Sequence, residues 1–349
     1  ALLSHIMNVS VSDLKKNYEK LDVSFDLWKG ESNAQPYIPD MVEKMKSEGY
    51  AYESDGALVV DVSEESDTKE VPPCMILKSD GAALYDTTDL ATLIWREEDY
   101  APDQVIYVVD KRQEMHFIQV FRCAKKTGIV PEERQLTFVG FGTMNGKDGK
   151  PFKTRDGGVM RLSFLLDEIE QKMYTHIMDA GTMGEEEAHN TASKIALAAI
   201  KYGDLSNQAA KDYVFDVDRF TSTEGNTGPY ILYTIVRIKS ILKKYAAEAE
   251  DKEAGEILPA LTDSEKALGL SLAGFNTAIN GAYGELAPHR ICAYIYEVSN
   301  AFNHFYHETK ILTEADPERK KSYIALLGLT RQVLERSIEL LGFSAPEKM

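Results

Sequence analysis

Beyond Met160 the apolar residues of this chain recur at three- and four-residue spacing, in 191–202, 230–245, 263–281, 288–307 and 322–341. A pattern of that period buries one stripe of each helix, so this half is expected to be helix packed on helix. Upstream the texture differs. Val105-Ile106-Tyr107-Val108-Val109-Asp110 is apolar enough for a buried parallel strand, Glu114 to Thr127 reads as a helix closed by Gly128, and Gln135 to Phe141 reads as a second strand. Strand, helix and strand in that order make a piece of a doubly wound sheet, whose ligands sit at the carboxyl ends of the strands. The expected class is therefore α/β followed by all-α, and the loops after Asp110 and Phe141 are the places to search.

The earlier part carries less chemistry. Val11 to Asn17 suggests a helix that leads into a strand, Val23 to Trp28, through alternating apolar positions. Residues 41–77 predict a helix, then Gly56 to Val62, an acidic turn and Pro72 to Leu77, a pattern suited to a small hairpin-bearing insertion. Ala246 to Gly255 and residues 313–321 read as loops between helices.

At 349 residues and 44% hydrophobic content the chain can bury at least two cores, which predicts two or three domains. No apolar stretch approaches the roughly 18–20 residues that a membrane span needs, so the expectation is a soluble protein without a membrane partner. Cys74, Cys123 and Cys292 stand far apart and form no CxxC pair, which suggests neither a zinc site nor a disulfide framework and fits the cytoplasm. The net charge of −17 argues against nucleic acid held by bulk electrostatics, DNA included, so any RNA surface is expected to be a local patch.

Three constellations could carry chemistry. Residues 140–158 hold six glycines and four basic side chains, Lys147, Lys150, Lys153 and Arg155. Glycines let a backbone approach phosphate, and the bases could neutralise charge on a pyrophosphate; the same composition also makes ordinary solvated turns. No GxxxxGK[ST] loop occurs. Second, Tyr85 and Asp89, with Glu31 and Gln113 at other strand ends, would suit a small cationic ligand, because a guanidinium pairs bidentately with carboxylate. Alternatively Asp89 is an acid favoured in a first helical turn, and Tyr85 packs.

Third, the helix opened by Thr227-Gly228-Pro229 places Ile231, Ile235, Ile238 and Leu242 on one stripe and Tyr230, Tyr233, Arg237 and Lys244 on another. Interleaved aromatic and basic groups can stack on unpaired nucleotides, although two interfacial tyrosines beside surface bases would read the same way. His304 and His307 lack a nearby third ligand and are expected to be structural.

Taken together, Tyr85-Asp86-Thr87-Thr88-Asp89-Leu90-Ala91, Tyr107 to Phe117 with its Asp110-Lys111-Arg112-Gln113, and Val139-Gly140-Phe141-Gly142 running to Lys150-Pro151-Phe152-Lys153-Thr154-Arg155 resemble the second half of the class I catalytic domain of arginyl-tRNA synthetases. The resemblance continues through Ile200-Lys201-Tyr202-Gly203-Asp204-Leu205-Ser206, Asp212 to Asp216 and Glu224-Gly225-Asn226-Thr227-Gly228-Pro229-Tyr230 to the closing residues.

It implies a partial Rossmann-like catalytic domain at 1–160 with an insertion at about 33–84, a helical connector at 161–222, and an α-helical anticodon-binding domain at 223–349. It further implies that Glu31, Tyr85, Asp89 and Gln113 take L-arginine, and that His116, Gly140, Phe141, Phe152 and Lys153 border ATP, which arrives with Mg²⁺. Lys150, Lys153 and Arg155 would carry the signature-loop chemistry, although Thr154 stands where that loop usually has a second lysine. Tyr230, Tyr233, Arg237 and Met349 would meet tRNA(Arg).

None of the seven histidines belongs to a His-x-Gly-His signature, which the family carries ahead of these segments. The expectation is a fragment of a monomeric parent, inactive alone. The alternative is an RNA-binding module whose nucleotide site is vestigial.

Overall fold

The computed structural model describes residues 2–150, 161–181, 183–248 and 255–349, with side chains from residue 5 onward. Its chain divides into two compact units, one formed by residues 25–142 and the other by residues 1–24 together with 143–349.

The chain opens with α1 (Leu2–Lys20), which belongs to the larger unit. The predicted strand from Val23 to Trp28 does not form; these residues are irregular, and Phe25, Leu27 and Trp28 are each nearly half exposed. Alternation gives a segment two faces but not a neighbour for its backbone groups, and among the described residues no strand pairs with it. A 3₁₀ helix follows at Glu31–Tyr37, so Glu31 opens a helical turn rather than ending a strand.

In the smaller unit α2 (Ile38–Ser47) packs Met41 and Met45 inward, and β1 (Ala51–Ser54), β2 (Ala57–Val60) and β3 (Cys74–Leu77) form an antiparallel sheet in that order. The β1–β2 turn is Asp55-Gly56, both at positive φ, as the tightest hairpin connection demands. Next come α3 (Tyr85–Tyr100), β4 (Gln104–Asp110), α4 (Glu114–Lys126) and β5 (Gln135–Phe141). Strands β4 and β5 pair parallel in register from Gln104↔Gln135 to Asp110↔Phe141, which brings the two anticipated loops to one edge. Helix α3 starts at Tyr85, which puts Asp89 four residues along the same helix.

The core of this unit includes Leu90, Leu93, Val105, Tyr107, Phe117 and Val120. Arg122 on α4 clamps the acidic turn, donating to both oxygens of Asp67 and to the carbonyl of Val62. The expectation that β4 is buried holds for one face only: Val105 and Tyr107 are covered, whereas Ile106 and Val108 are 42% and 64% exposed. Parallel strands are ordinarily covered on both faces, so this pair presents an unusual apolar surface.

In the larger unit β6 (Met144–Asn145) pairs parallel with β7 (Tyr213–Val214), so the glycine-rich segment is not loop throughout. The rest is helical: α5 (Leu162–Ala180), α6 (Glu185–Leu205), the short α7 (Val217–Phe220), α8 (Gly228–Glu248), α9 (Asp263–Ala273), α10 (Phe275–Glu285), α11 (Pro288–Glu308) and α12 (Pro317–Leu340). The single helix expected over 263–281 is two, broken at Gly274, and the loop expected at 313–321 ends at Asp316, whose carboxylate caps α12.

Ile231, Ile235 and Ile238 of α8 are fully buried among Ile295, Val298 and Phe302 of α11 and Leu327 and Leu334 of α12. A buried pair, Arg319 Nη1 to Glu265 Oε1 at 3.1 Å, ties α12 to α9; the same Nη1 also donates to the Pro259 carbonyl, and Glu265 Oε2 accepts the Leu261 amide.

Candidate functional site

The site in the smaller unit is assembled at the carboxyl ends of β4 and β5. Asp110 ends β4 and accepts the backbone amide of Arg112 and both arms of its guanidinium, at 2.8 and 2.7 Å. The Arg112 hydrogen bonds hold its carboxyl down at about 2. A 3₁₀ turn, Lys111–Gln113, then delivers the chain into α4. Gly140, one residue from the end of β5, faces this turn. A Cβ there would come within 2.9 Å of the Lys111 Cα and 2.8 Å of the Phe138 ring, so glycine is needed for close backbone approach.

Against the first turn of α4 stands the first turn of α3. His116 Nε2 donates to Asp89 Oδ2 at 2.7 Å, and its Nδ1 lies 2.5 Å from Asp86 Oδ1. Ionised carboxylates only accept, so both ring nitrogens must carry hydrogen and the ring is an imidazolium. The hydrogen bonds to Asp86 and then Asp89 raise its pKa to about 9 against a smaller opposing effect of burial. Tyr85 opens α3 and is 70% exposed. Glu31 and Gln113 are exposed, Glu31 at the start of the 3₁₀ helix that packs along α3, and Gln113 at the entry to α4.

Of the anticipated residues, then, Asp89 and His116 touch; Tyr85 lies four residues before Asp89 on the same helix, and Glu31 and Gln113 lie on neighbouring elements of the same unit. Gly140 is a packing position and Phe141 is exposed at the end of β5. Asp86 was not anticipated. Its signal is its place three residues before Asp89, which puts both acids on one helix face.

Lys150 is exposed in a turn whose Gly146 amide donates to the Lys150 carbonyl at 2.8 Å, and Lys147 pairs with Asp216 at 3.1 Å. Phe152, Lys153 and Arg155 lie outside the described residues. Among the described residues no three His, Cys, Asp or Glu side chains converge as a metal site, and no helix is long and apolar enough to cross a membrane.

In the larger unit the aromatic–basic stripe of α8 meets α11. The Tyr230 hydroxyl donates to Asn300 Oδ1 at 2.6 Å and accepts from Asn303 Nδ2 at 2.9 Å, and its ring packs edge-on to Tyr296. Arg237 lies over the Tyr233 ring at 4.7 Å and the Tyr306 ring at 5.1 Å while donating to Asn303 Oδ1 at 2.6 Å. Lys244 is exposed further along α8, and Met349 is partly buried against the helical core. The α11 contribution went unpredicted, yet Tyr296, Asn300, Asn303 and Tyr306 follow one another at four- and three-residue steps on a single face.

The segments at 200–206 and 224–230 hold the larger unit together. Lys201 Nζ donates to the carbonyls of Gly342 and Asp22, the Tyr202 hydroxyl bonds Asn226 Oδ1 and the Cys292 carbonyl, and Asp204 accepts the Tyr213 hydroxyl at 2.7 Å. Gly203 lies against the Phe220 ring, and Gly228 against the backbone of Ala198.

Residues 1–217 match the family described as tRNA synthetases class I (R), catalytic domain, and residues 231–349 match the DALR anticodon binding domain. The chain is 66% identical over 357 residues to the arginine–tRNA ligase of Agathobacter rectalis and 56% identical over 352 residues to that of Alkaliphilus oremlandii. It is covered completely in both comparisons but spans only 60% and 59% of those relatives' own lengths.

Among solved structures, arginyl-tRNA synthetase from Plasmodium falciparum superposes with a TM-score of 0.84 at 26% identity, over all of this chain and 58% of that one. The Thermus thermophilus arginyl-tRNA synthetase has the same fold, with a TM-score of 0.83 at 22% identity over 96% of this chain and 62% of that one. Chemistry at paired strand ends, a helical unit with an aromatic–basic face and two consecutive domain matches lead to one assignment: the chain belongs to the class I (R) tRNA synthetases, carrying catalytic-domain sequence followed by a DALR anticodon-binding domain.

Proposed function

We propose that this chain is part of an arginine–tRNA ligase, supplying a portion of the arginine and ATP site together with the anticodon-binding domain. The observation that carries this reading is the ordered Asp89 carboxylate beside exposed Tyr85 at the carboxyl end of a parallel strand pair. A carboxylate and a phenol can fix a guanidinium by charge-assisted hydrogen bonds, and Glu31 and Gln113 complete the ring of polar groups around arginine.

In the whole enzyme the arginine carboxylate attacks the α-phosphate of ATP and pyrophosphate leaves; the terminal ribose hydroxyl of tRNA(Arg) then takes the aminoacyl group and AMP leaves. ATP brings Mg²⁺ as its counter-ion. His116, Gly140, Phe141 and Phe152 border the nucleotide, and Lys150, Lys153 and Arg155 neutralise charge on the departing pyrophosphate. Domain limits at 160 and 222 divide catalytic, connector and anticodon-binding regions, and the parent works as a cytoplasmic monomer.

This chain alone is inactive in the proposal. The uncovered face of Ile106 and Val108, and a length about 60% of its relatives', support a site that needs further polypeptide. Arginine- and tRNA-dependent pyrophosphate exchange tests it: the chain should show no turnover, and exchange by the purified chain would refute the claim. The purified chain should still bind tRNA(Arg), since the helical unit has its own core. Binding of tRNA with no arginine affinity at all would favour a stand-alone RNA-binding module.

Tyr233 is the exposed part of the proposed anticodon-loop surface, with Arg237 half-buried over its ring and Tyr230 and Met349 packed at its edge. Tyr233→Ala is expected to weaken tRNA(Arg) binding about tenfold, since a stacked base contributes roughly 1–3 kcal/mol. Its Tm should hardly change, because the ring lies outside the core. Filter binding with a thermal melt on the same sample checks both, and full affinity would remove Tyr233 from the surface.

A further inference from the structure

The proposed arginine site contains one more carboxylate than guanidinium recognition requires. Asp86 and Asp89 project from the first two turns of α3 toward α4, and the His116 ring is held between them, 2.5 Å from Asp86 Oδ1 and 2.7 Å from Asp89 Oδ2. Among the described residues His116 is the side-chain partner of Asp89, and it engages Oδ2. Phe117 meets the ring edge-on at 4.8 Å. Among the described residues, titratable groups near the carboxylates include Tyr107 of β4, whose hydroxyl accepts from Arg96 of α3, and buried Cys74 of β3.

The charges decide what such a clasp can do. His116, as an imidazolium, cancels the charge of the carboxylate it orients; with Asp89 alone the pair would be neutral, leaving Glu31 as the net negative charge of the proposed ring, and would attract a cationic side chain more weakly. Asp86 restores one net negative charge to the group and keeps the imidazole protonated. We propose that Asp86 is a positioning residue of the guanidinium site: it retains His116 as the cation that orients Asp89, and it supplies the negative charge that His116 would otherwise cancel. The role rests on the arginine reading above, and Asp86 itself need not touch the ligand.

The test is nuclear magnetic resonance on the full chain, following the His116 ring against pH and, separately, titrating L-arginine and its neutral isostere L-citrulline. In the unsubstituted chain His116 should titrate near 9, well above the ordinary value of 6.5. In Asp86→Asn the midpoint should fall by a unit or more, and the preference for arginine over citrulline should shrink about fivefold or more, as expected for one nearby charge at an effective dielectric of ~20. Asp86→Glu should recover both.

A packing role alone would weaken both ligands alike and leave their ratio unchanged, which would overturn the proposal. So would a midpoint near 6.5 in the unsubstituted chain, a result independent of whether any variant folds. Should His116 titrate near 9 while the unsubstituted chain binds no arginine, the arginine reading fails and the clasp stands as a structural feature only.

Discussion

Asp89→Ala is expected to lower the arginine affinity of this chain about a hundredfold or more. Truncating one partner of a charge pair costs roughly 2–5 kcal/mol, much of it the penalty of leaving the other charge unpaired, and each 1.4 kcal/mol is about tenfold in affinity. Asp89→Asn keeps the shape and one acceptor oxygen but removes the charge, so it should fall between the two. His116 would retain Asp86 in either variant, which should preserve the near-ultraviolet dichroism of Trp28 and Trp95. Arginine affinity within threefold of the unsubstituted chain would remove Asp89 from the pocket and take the proposed substrate with it.

Much of this arrangement is legible in the residues. The strands at 104–110 and 135–141 are short apolar runs separated by one helix, and only one topology follows from that order. Tyr85 and Asp89 could be paired because a helix start fixes their spacing. What sequence could not give is the partner of each group across the fold. Asp86 is adjacent to Tyr85 in sequence, and its significance comes from His116, which stands 30 residues later.

The failed strand at 23–28 has the same origin, since alternation is local whereas a strand needs a neighbour. Over 263–281 the apolar spacing continues across Gly274 while the backbone breaks there, so a pattern that predicts one helix gives two. In α11 the row Tyr296-Asn300-Asn303-Tyr306 was readable, but a helix with Phe302 and Phe305 fully buried draws attention to its core face.

Glycines 203 and 228 show most sharply what composition hides, because a glycine in sequence reads as a turn whereas these two are points of contact. Gly228→Ala is expected to destabilise the helical unit by about 3 kcal/mol or more, at or beyond the usual cost of overpacking. The new Cβ would stand 2.2 Å from the Ala198 carbonyl oxygen and 2.6 Å from its carbon. These are backbone atoms inside α6, so no rotamer change relieves the clash; α8 must move away from α6, loosening Ile231 and Ile235 in the core.

Gly203→Ala should act similarly, because its Cβ would fall 2.2 Å from a Phe220 ring that stacks on buried Phe215. Gly269→Ala and Gly284→Ala supply the opposite sign. Both lie in helices with nothing within 4 Å of the added carbon, so each should stabilise by about 0.4–1 kcal/mol.

Chemical denaturation of the four variants distinguishes close helix contact from generic helix propensity, which would make all four substitutions stabilising. Tyr230 lies two residues after Gly228 and carries its hydroxyl to Asn300 and Asn303. A displaced α8 must therefore also pull the aromatic–basic face out of register, so that Gly228→Ala should lose tRNA affinity under conditions in which the chain is still largely folded.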